Sequence, residues 1–446
     1  MEKSLCRLMM ISGAMGCGLL GLVPETGLAR GVLVQGQEIA LTECSGWLFE
    51  SSTAPAIESN ALYWFIQGIP VYPPGGHFRF RGEFPAARYM SWQNHDLLGN
   101  STALLADTDI VPDRGQNPFQ PDTPYSPGSA YTVDLLDIPP EVRPSRPANI
   151  LYGGYRYDGR ETEYNAVAYR VYLPDPGTDA LGGVPRPDFY FVVDDPEKTS
   201  EEDIRTMCEE MRKIQEAEKQ LLARVIESTE SLDEREPPGR RVIDGPSAKG
   251  AFPQPSLSDF KELANYRAVI PNPNGEGIYF NAQTGYLQVF LAPSRDEVTV
   301  MRFNAPTFPD TQGVQTGDGT PDEISGNEQL RYWSLCMQNT TSFLSTTGCL
   351  YDAQVRRDND GRVTFAFSNP ESRPANATNW LPTTDTIPSV ILRQMQPNPA
   401  FAQALLYFAG TETDPAAIAA HMGEFFPLVA TCTRAEFERD RCGLDP

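Results

Sequence analysis

The sequence predicts a mainly β protein. It would contain two related antiparallel β-sandwich domains of the jelly-roll-like kind, a long inter-domain helix and a helical C-terminal tail. Three observations lead to this fold class. An internal repeat runs through the chain, short β-prone stretches recur between loops rich in Pro and Gly, and one long segment shows helical periodicity.

The internal repeat is clearest in two hairpin-like stretches, Arg88–Asp109 and Arg331–Asp352. In both, Arg-Tyr opens a β-prone run, a polar loop follows, and an Asp ends the return strand 21 residues after the Arg, from 88 to 109 and from 331 to 352. Self-similarity on this scale indicates a duplicated unit. The two copies therefore predict two domains of one architecture.

Composition divides the chain into five parts, and each is predicted from a change in residue usage. These parts are a signal peptide over 1–29, a first β-sandwich domain over 30–195, an amphipathic helix and Pro/Gly-rich linker over 196–256, a second β-sandwich domain over 257–383, and a helical tail over 384–446 packed on the second domain.

The first 29 residues have the pattern of an export signal. Lys3 and Arg7 precede an apolar run, and small residues around Ala29 form a cleavage site. The alternative is a lipid-modified cysteine at Cys17. No other segment approaches the length of an apolar membrane span. We therefore expect a secreted or periplasmic protein with no integral membrane span in the mature chain.

Helical periodicity marks the segment from Thr199 to Ser228, whose apolar residues recur at helical spacing between charged ones. Its apolar stripe is expected to pack on a domain of the same protein, with a partner protein as the alternative. In the tail, residue usage predicts helices over 387–395, 398–408, 415–422 and 434–440.

Six cysteines remain after the signal peptide, and an even number in an exported chain indicates disulfides. Cys336 and Cys349 flank the loop of the second repeat hairpin, so they are the first predicted pair. Near the C-terminus Cys432 and Cys442 form the second, which leaves Cys44 with Cys208. The alternative is that several of them are buried free thiols.

The charge balance excludes one class of partner. There are 36 Lys and Arg against 59 Asp and Glu, a formal net charge of −23. A phosphate backbone would repel such a chain, so nucleic acid is excluded as a main partner.

Catalytic motifs are missing from the sequence. The three histidines, His77, His95 and His421, stand in none of the spacings that bind zinc, and there is no nucleophile elbow, P-loop or dinucleotide fingerprint. A dispersed site remains possible, because such sites are made by geometry. The catalytic candidates are the repeat residues Arg88, Arg331, Asp109 and Asp352 together with His95, each with a structural role as the alternative.

Acidic loops suggest a calcium site, and calcium is the one cofactor considered. Carboxylates clustered with Gly are ligands that a hard cation prefers, although none follows the EF-hand pattern. The alternative is that these residues shape solvated turns. The candidate metal ligands are Asp107, Asp109, Asp113, Asp358 and Asp360.

Aromatic residues on the repeat hairpins suggest a ligand groove. Trp92, Trp333 and Trp380 combine an apolar face with a polar handle, as sugar-binding residues do. Because side chains alternate along a strand, at least half of the hairpin aromatics must instead face a core.

Several segments resemble an uncharacterised family of exported bacterial proteins described only as a domain of unknown function. They are RYWSLC from Arg331, DNDGR from Asp358, NWLP from Asn379, the stretch from Ile391 to Ala404, HMGEFFP from His421, and AEFERDRC near the end. The resemblance implies paired jelly-roll-like domains with helical additions. It supplies no activity and no catalytic residue.

Two function classes follow. The favoured one is a non-catalytic ligand-binding or envelope-associated protein whose ligand is a glycan, a lipid or an envelope component. The alternative is an enzyme acting on a polysaccharide or lipid, with inter-domain carboxylates and an arginine doing acid/base work.

Overall fold

The structure, a computed structural model, describes most of the chain, and the predicted signal peptide with Cys17 and the linker over 234–256 lie outside the described part. The described residues are 32–41, 44, 47, 58–144, 148–233, 266–269, 279–291, 296–315, 320–339, 345–383, 388–410 and 414–444. Within them no helix has the length and apolar character needed to cross a membrane.

The first half is a sandwich of two sheets. The first inner sheet has the order β2-β8-β4-β5 and the first outer sheet the order β1-β9-β3-β6-β7. Their strands are β1 Glu38–Ala40, β2 Ala61–Pro70, β3 Gly76–Glu83, β4 Ala87–His95, β5 Ser101–Ala106, β6 Ala130–Asp137, β7 Ile150–Gly153, β8 Tyr164–Pro174 and β9 Asp188–Val193.

The second half is also a sandwich of two sheets. The second inner sheet has the order β10-β11-β17-β13-β14 and the second outer sheet the order β16-β15-β12-β18. Their strands are β10 Tyr266–Val269, β11 Thr284–Phe290, β12 Glu297–Asn304, β13 Leu330–Asn339, β14 Ser345–Tyr351, β15 Arg362–Ser368, β16 Asn379–Pro382, β17 Pro388–Pro397 and β18 Leu428–Thr433.

The two sandwiches have the same strand order, so the chain is mainly β and internally duplicated, as the sequence predicts. In the inner sheets β2-β8-β4-β5 corresponds to β11-β17-β13-β14, and in the outer sheets β9-β3-β6-β7 corresponds to β18-β12-β15-β16. Even the single parallel pair recurs, since β6 runs parallel to β7 and β15 runs parallel to β16. Each sandwich encloses an aromatic and aliphatic core.

Helix α1, Glu201–Asp233, packs on the first sandwich through its N-terminal half. Ile204, Met207 and Met211 are buried in the first core. The backbone of β2 accommodates the helix at Gly68, where an added Cβ would lie 2.8 Å from Ile214. The described part of the apolar stripe therefore packs on the helix's own protein, as predicted.

The C-terminal helices are confirmed in part. Helix α2, Pro415–Met422, and helix α3, Arg434–Asp440, have the predicted bounds. The helix predicted over 387–395 is wrong, because residues 388–395 form most of β17, which pairs with both β11 and β13. The stretch from 398 to 408 contains only the 3-10 turn Leu405–Tyr407.

The error over 387–395 has a physical cause. Strand β17 is covered on both faces, by the second core on one side and the first sandwich on the other, and nearly all of it is buried. A strand buried on both faces loses the alternation of polar and apolar residues, so its periodicity resembles that of a buried helix. The second sandwich thus extends beyond the predicted boundary at residue 383.

Three disulfides join the cysteines in the predicted pairs, Cys44–Cys208, Cys336–Cys349 and Cys432–Cys442. The first ties helix α1 to Cys44, which lies between β1 and β2 of the first sandwich. The second crosses β13 and β14, where its two residues are register partners. The third fastens the 3-10 turn Arg441–Gly443, which follows α3, to strand β18.

His77 on strand β3 carries a prediction about pH. It lies between Asp194, 2.8 Å from Nδ1, and Asp134, 3.6 Å from Nε2. Burial lowers the pKa of His77, but the two carboxylates outweigh burial and raise it. For Asp134, burial acts in the opposite direction to the hydrogen bonds from His77 and Arg79, which prevail and lower its pKa to about 2.

The signs of these shifts define a pH window. A raised His pKa stabilises the fold below the ordinary His pKa and loses this effect as pH rises through the raised value, whereas the Asp134 contribution is lost as pH falls towards 2. We expect wild type to lose stability as pH rises above about 6.5, and we expect His77→Gln to remove that loss. Urea unfolding between pH 4 and pH 9 measures this, and parallel pH profiles for both proteins would contradict it.

Candidate functional site

The two inner sheets face each other, and the layer between them is rich in polar and charged side chains. A tyrosine cluster joins the halves, with Tyr172 of β8 packed 5.6 Å from Tyr332 of β13. Side chains of β4 and β13 alternate between this layer and their own cores. Trp92 and Trp333 belong to the cores, whereas Tyr89 and Tyr332 belong to the layer.

Two crossed ion pairs link the halves, and both are made by the repeat arginines. Arg88 donates from Nη1 to Asp352 Oδ1 at 2.5 Å, and both residues are fully buried. In the reverse direction Arg331 Nη1 lies 3.4 Å from Asp107 Oδ2. Burial raises the pKa of both carboxyl groups, and the arginine partner opposes the rise. Each repeat thus binds a carboxylate of the other.

The hydrogen bonds of the two carboxylates show which residues correspond. Asp352 accepts from the backbone N–H of Trp333, and Asp107 accepts from that of Met90, each two residues after the repeat arginine. Asp107, not Asp109, is therefore the counterpart of Asp352. The equal spacing of 21 residues is misleading, because β4 to β5 spans two residues fewer than β13 to β14.

A row of three polar residues crosses the first inner sheet beside these ion pairs. Arg170 on β8 is the register partner of Tyr63 on β2 and of Ser91 on β4. Its guanidinium lies 5.8 Å from the Tyr63 ring and donates to Gln93 Oε1 at 2.8 Å and to the carbonyl oxygen of Tyr279 at 2.9 Å. Desolvation raises the pKa of Tyr63 to about 12, which keeps its hydroxyl protonated.

The same row recurs across the second inner sheet. Arg393 on β17 is the register partner of Tyr286 and Ser334, with its guanidinium 5.9 Å from the Tyr286 ring. Here a carboxylate completes the row, since Glu58 of the first half lies 3.5 Å from Arg393 and accepts a hydrogen bond from Ser334. Glu58 is fully buried.

A surface cavity of about 220 Å³ lies next to the Arg88–Asp352 pair. It is formed largely by the connection between β12 and β13, which is much longer than the connection between β3 and β4 in the first half. Its lining residues are Thr307, Phe308, Asp310, Gln315, Asp322 and Arg357. Two carboxylates, a guanidinium, an amide, a hydroxyl and an aromatic ring therefore share one small space.

Asp310, which lines this cavity, and its neighbour Arg88 each have a buried polar group without a hydrogen-bond partner among the described residues. Asp310 Oδ1 and Arg88 Nη2 lie 4.0 Å apart, too far for a hydrogen bond. The other oxygen of Asp310 accepts from the backbone N–H of Gln315 at 2.5 Å, and the Phe308 ring lies 5.4 Å from the Arg88 guanidinium. Buried polar atoms in this state need a water molecule or a ligand.

The remaining catalytic candidates do not converge on this cavity. His95 is fully buried at the end of β4, and its pKa is well below the ordinary value because of desolvation and the nearby Arg170. A neutral histidine packed 5.0 Å from the Tyr279 ring is a structural residue in this position. Asp109 is exposed.

The aromatic prediction is wrong for two of its three residues. Trp92 and Trp333 are buried in the cores of their sandwiches, so a ligand does not reach them. Trp380 is half-buried on β16, where its indole N–H donates to Ser368 and Arg373 lies 4.5 Å from its ring. The Trp380 ring is thus already covered by the side chain of Arg373, which belongs to the same half.

The predicted calcium ligands also have other partners. Asp358 and Asp360 pair with Arg302, and Asp113 accepts a hydrogen bond from Thr132. In the described part of the chain, the one group of three potential metal-binding side chains consists of Glu58 and the two sulfur atoms of the Cys336–Cys349 disulfide. Disulfide sulfurs are not thiolates, so these residues do not fit a metal site.

Sequence reasoning missed the residues that matter most here. Asp310, Glu58 and Arg170 belong to no motif, and Arg393 lies within the stretch from Ile391 to Ala404 without being singled out. Each has a partner more than 200 residues away or a copy in the other half. One signal was available for the arginines. Aligning the two repeats beyond the hairpins pairs the strand containing Arg170 with the strand containing Arg393.

Comparison with known proteins connects this region to a family without a known function. Residues 308–399 match the family described as "Protein of unknown function (DUF1214)", a stretch that includes Asp310, Asp352 and Arg393. No curated protein matches the chain.

Solved structures with a similar chain path include two uncharacterised bacterial proteins. One, from Burkholderia cenocepacia, is 14% identical with a TM-score of 0.46, covering 87% of this chain and 80% of its own. The other, the VPA0106 protein from Vibrio parahaemolyticus, is 12% identical with a TM-score of 0.36, covering 85% of this chain and 90% of its own. The family match alone shows that residues 308–399 are similar to an uncharacterised family, as the sequence predicted.

Proposed function

We propose that this is an exported, non-catalytic binding protein that holds a small polyhydroxylated ligand, such as one sugar unit of an envelope glycan, in the cavity beside Arg88. One observation carries the proposal. Asp310 Oδ1 and Arg88 Nη2 form an acceptor and a donor that are both buried, both without hydrogen bonds in the described residues, and 4.0 Å apart, and Asp310 lines the cavity.

The chemistry of the lining supports a hydroxyl-rich ligand. A sugar hydroxyl both donates and accepts, so it can satisfy a carboxylate oxygen and a guanidinium N–H at once. Phe308 adds an apolar ring on which a sugar face can pack. The volume of about 220 Å³ is below that of sites for drug-sized molecules, which suits a single ring or the end of a chain.

Export is supported by the cysteines. The six cysteines outside the predicted signal peptide form three disulfides, as expected of a protein from an oxidising compartment. The chain is acidic, so anionic surfaces would repel it. A glycan ligand would hold such a chain at the envelope without attraction between opposite charges.

The test is calorimetric titration of the mature protein with glucose, galactose, mannose and N-acetylglucosamine. We expect at least one to bind, and Asp310→Asn to weaken that binding about 10- to 100-fold, the effect of losing a charged hydrogen bond. Asp109→Asn, which alters an exposed carboxylate outside the cavity, is the matched control. Binding that is unaffected by Asp310→Asn would refute the site.

The enzyme alternative has one observation in its favour, because Asp310 and Asp322 line the same cavity. Chromatography of oligosaccharides built from the bound sugar separates the two functions. Release of shorter products that depends on both aspartates would favour hydrolysis, and intact oligosaccharides would favour binding alone.

A further inference from the structure

We propose that Arg170 anchors a second site, which takes a small monovalent anion, either chloride or the carboxylate group of a small molecule, in the layer between the inner sheets. The site is separate from the cavity beside Arg88, so it does not depend on the proposed glycan function. Two features of the molecule support the site. Arg170 is buried, and its surroundings differ from those of Arg393, its counterpart in the other repeat.

Arg170 is a buried cation without a countercharge in the described residues. It is 1% exposed, and its two hydrogen-bond acceptors, the amide oxygen of Gln93 and the carbonyl oxygen of Tyr279, are both neutral. Its Nε has no hydrogen-bond partner among those residues. Because an arginine does not lose its proton, a buried guanidinium needs an anion beside it.

In the second repeat a carboxylate lies beside the equivalent arginine, whereas the described residues around Arg170 supply none. Arg393 occupies the equivalent position and has the Glu58 carboxylate 3.5 Å away. Glu58 lies three residues before the start of β2, and the residue three before the start of β11 is Asn281. The duplicated site therefore has an amide where its copy has a carboxylate.

The titratable side chains around Arg170 do not supply a negative charge by losing a proton. Tyr63 and Tyr172, whose hydroxyls are hydrogen-bonded to each other at 2.7 Å, have raised pKa values through burial. His95 is held neutral by burial and by Arg170 itself. Protonated tyrosines, a neutral histidine and a cation favour an anion from solution.

The experiment measures thermal unfolding of the mature protein while sodium cyclamate is replaced stepwise by sodium chloride or sodium formate at constant ionic strength. Cyclamate serves as the bulky anion, because it has no hydroxyl groups for the cavity beside Arg88. We expect a saturating rise in Tm of about 2 °C or more with at least one of the small anions, as for any ligand that binds only the folded state. A rise with formate alone assigns a carboxylate, and one with chloride alone assigns a halide.

Arg170→Gln should abolish the rise, and Asn281→Asp should abolish it as well by supplying a carboxylate from the chain. Asn281→Asp keeps the test decisive if Arg170→Gln fails to fold. A flat wild-type response, or a rise that persists in either variant, would overturn the proposal.

Discussion

Replacing Asp352 with Asn is expected to lower the free energy of unfolding by about 3–5 kcal/mol, the usual cost of removing one partner from a buried ion pair. The carboxylate accepts hydrogen bonds from Arg88 at 2.5 Å and from the backbone N–H groups of Trp333 and Ala353. An amide removes the countercharge of Arg88 and cannot accept all three. Urea unfolding of the mature protein at pH 7 measures the loss.

Replacing Arg88 instead of Asp352 is expected to lower the free energy of unfolding by a smaller amount. In Arg88→Met the Asp352 carboxyl group can take up a proton, since burial already raises its pKa, whereas a buried guanidinium without its partner stays charged. The double variant Arg88→Met/Asp352→Asn should be less destabilised than the sum of the two single variants. Additive effects would show that the pair does not interact across the two halves.

A comparison of Asp107 with Asp109 is the matched control for the ion pairs that link the two halves. Asp107→Asn should also be destabilising, because Asp107 is buried and pairs with Arg331. Asp109→Asn should change stability by less than about 0.5 kcal/mol, as expected for an exposed residue. Equal effects would contradict the assignment of Asp107 as the counterpart of Asp352.

Removing the Cys44–Cys208 disulfide is expected to cost about 2–5 kcal/mol. The bridge closes a sequence separation of 164 residues and fastens helix α1 to the first sandwich, where Met207 and Met211 are buried. A long closed loop restricts the unfolded chain strongly, which is the main source of its effect. The measurement is denaturant unfolding of Cys44→Ala/Cys208→Ala under oxidising conditions.

The Cys432–Cys442 disulfide is the internal control for loop length. It closes a separation of only 10 residues, so Cys432→Ala/Cys442→Ala should cost less, by on the order of 2 kcal/mol in the chain-entropy treatment. Equal losses from the two double variants would mean that local packing, not restriction of the unfolded chain, determines both effects.

Much of the fold was predictable because its signals are local. The helices over 415–422 and 434–440 have strong start signals, a proline in the first turn and a capping box, and their bounds match the structure. Strand β17 was misassigned because burial on both faces hides the alternation of a strand. The site was less predictable, because its members meet only when the two inner sheets pack.

From sequence alone came the duplication, the three disulfide pairs and the importance of Arg88 and Arg331, because each leaves a mark in residue order or spacing. The tertiary structure alone decided that each repeat arginine binds the carboxylate of the other repeat and that Trp92 and Trp333 face cores. It also decided that Arg393 has a carboxylate beside it, whereas the described residues give Arg170 none. The physical reason is that pairing between two folded halves depends on which faces of their sheets meet. Local patterns along the chain do not specify which faces of the two inner sheets pack against each other.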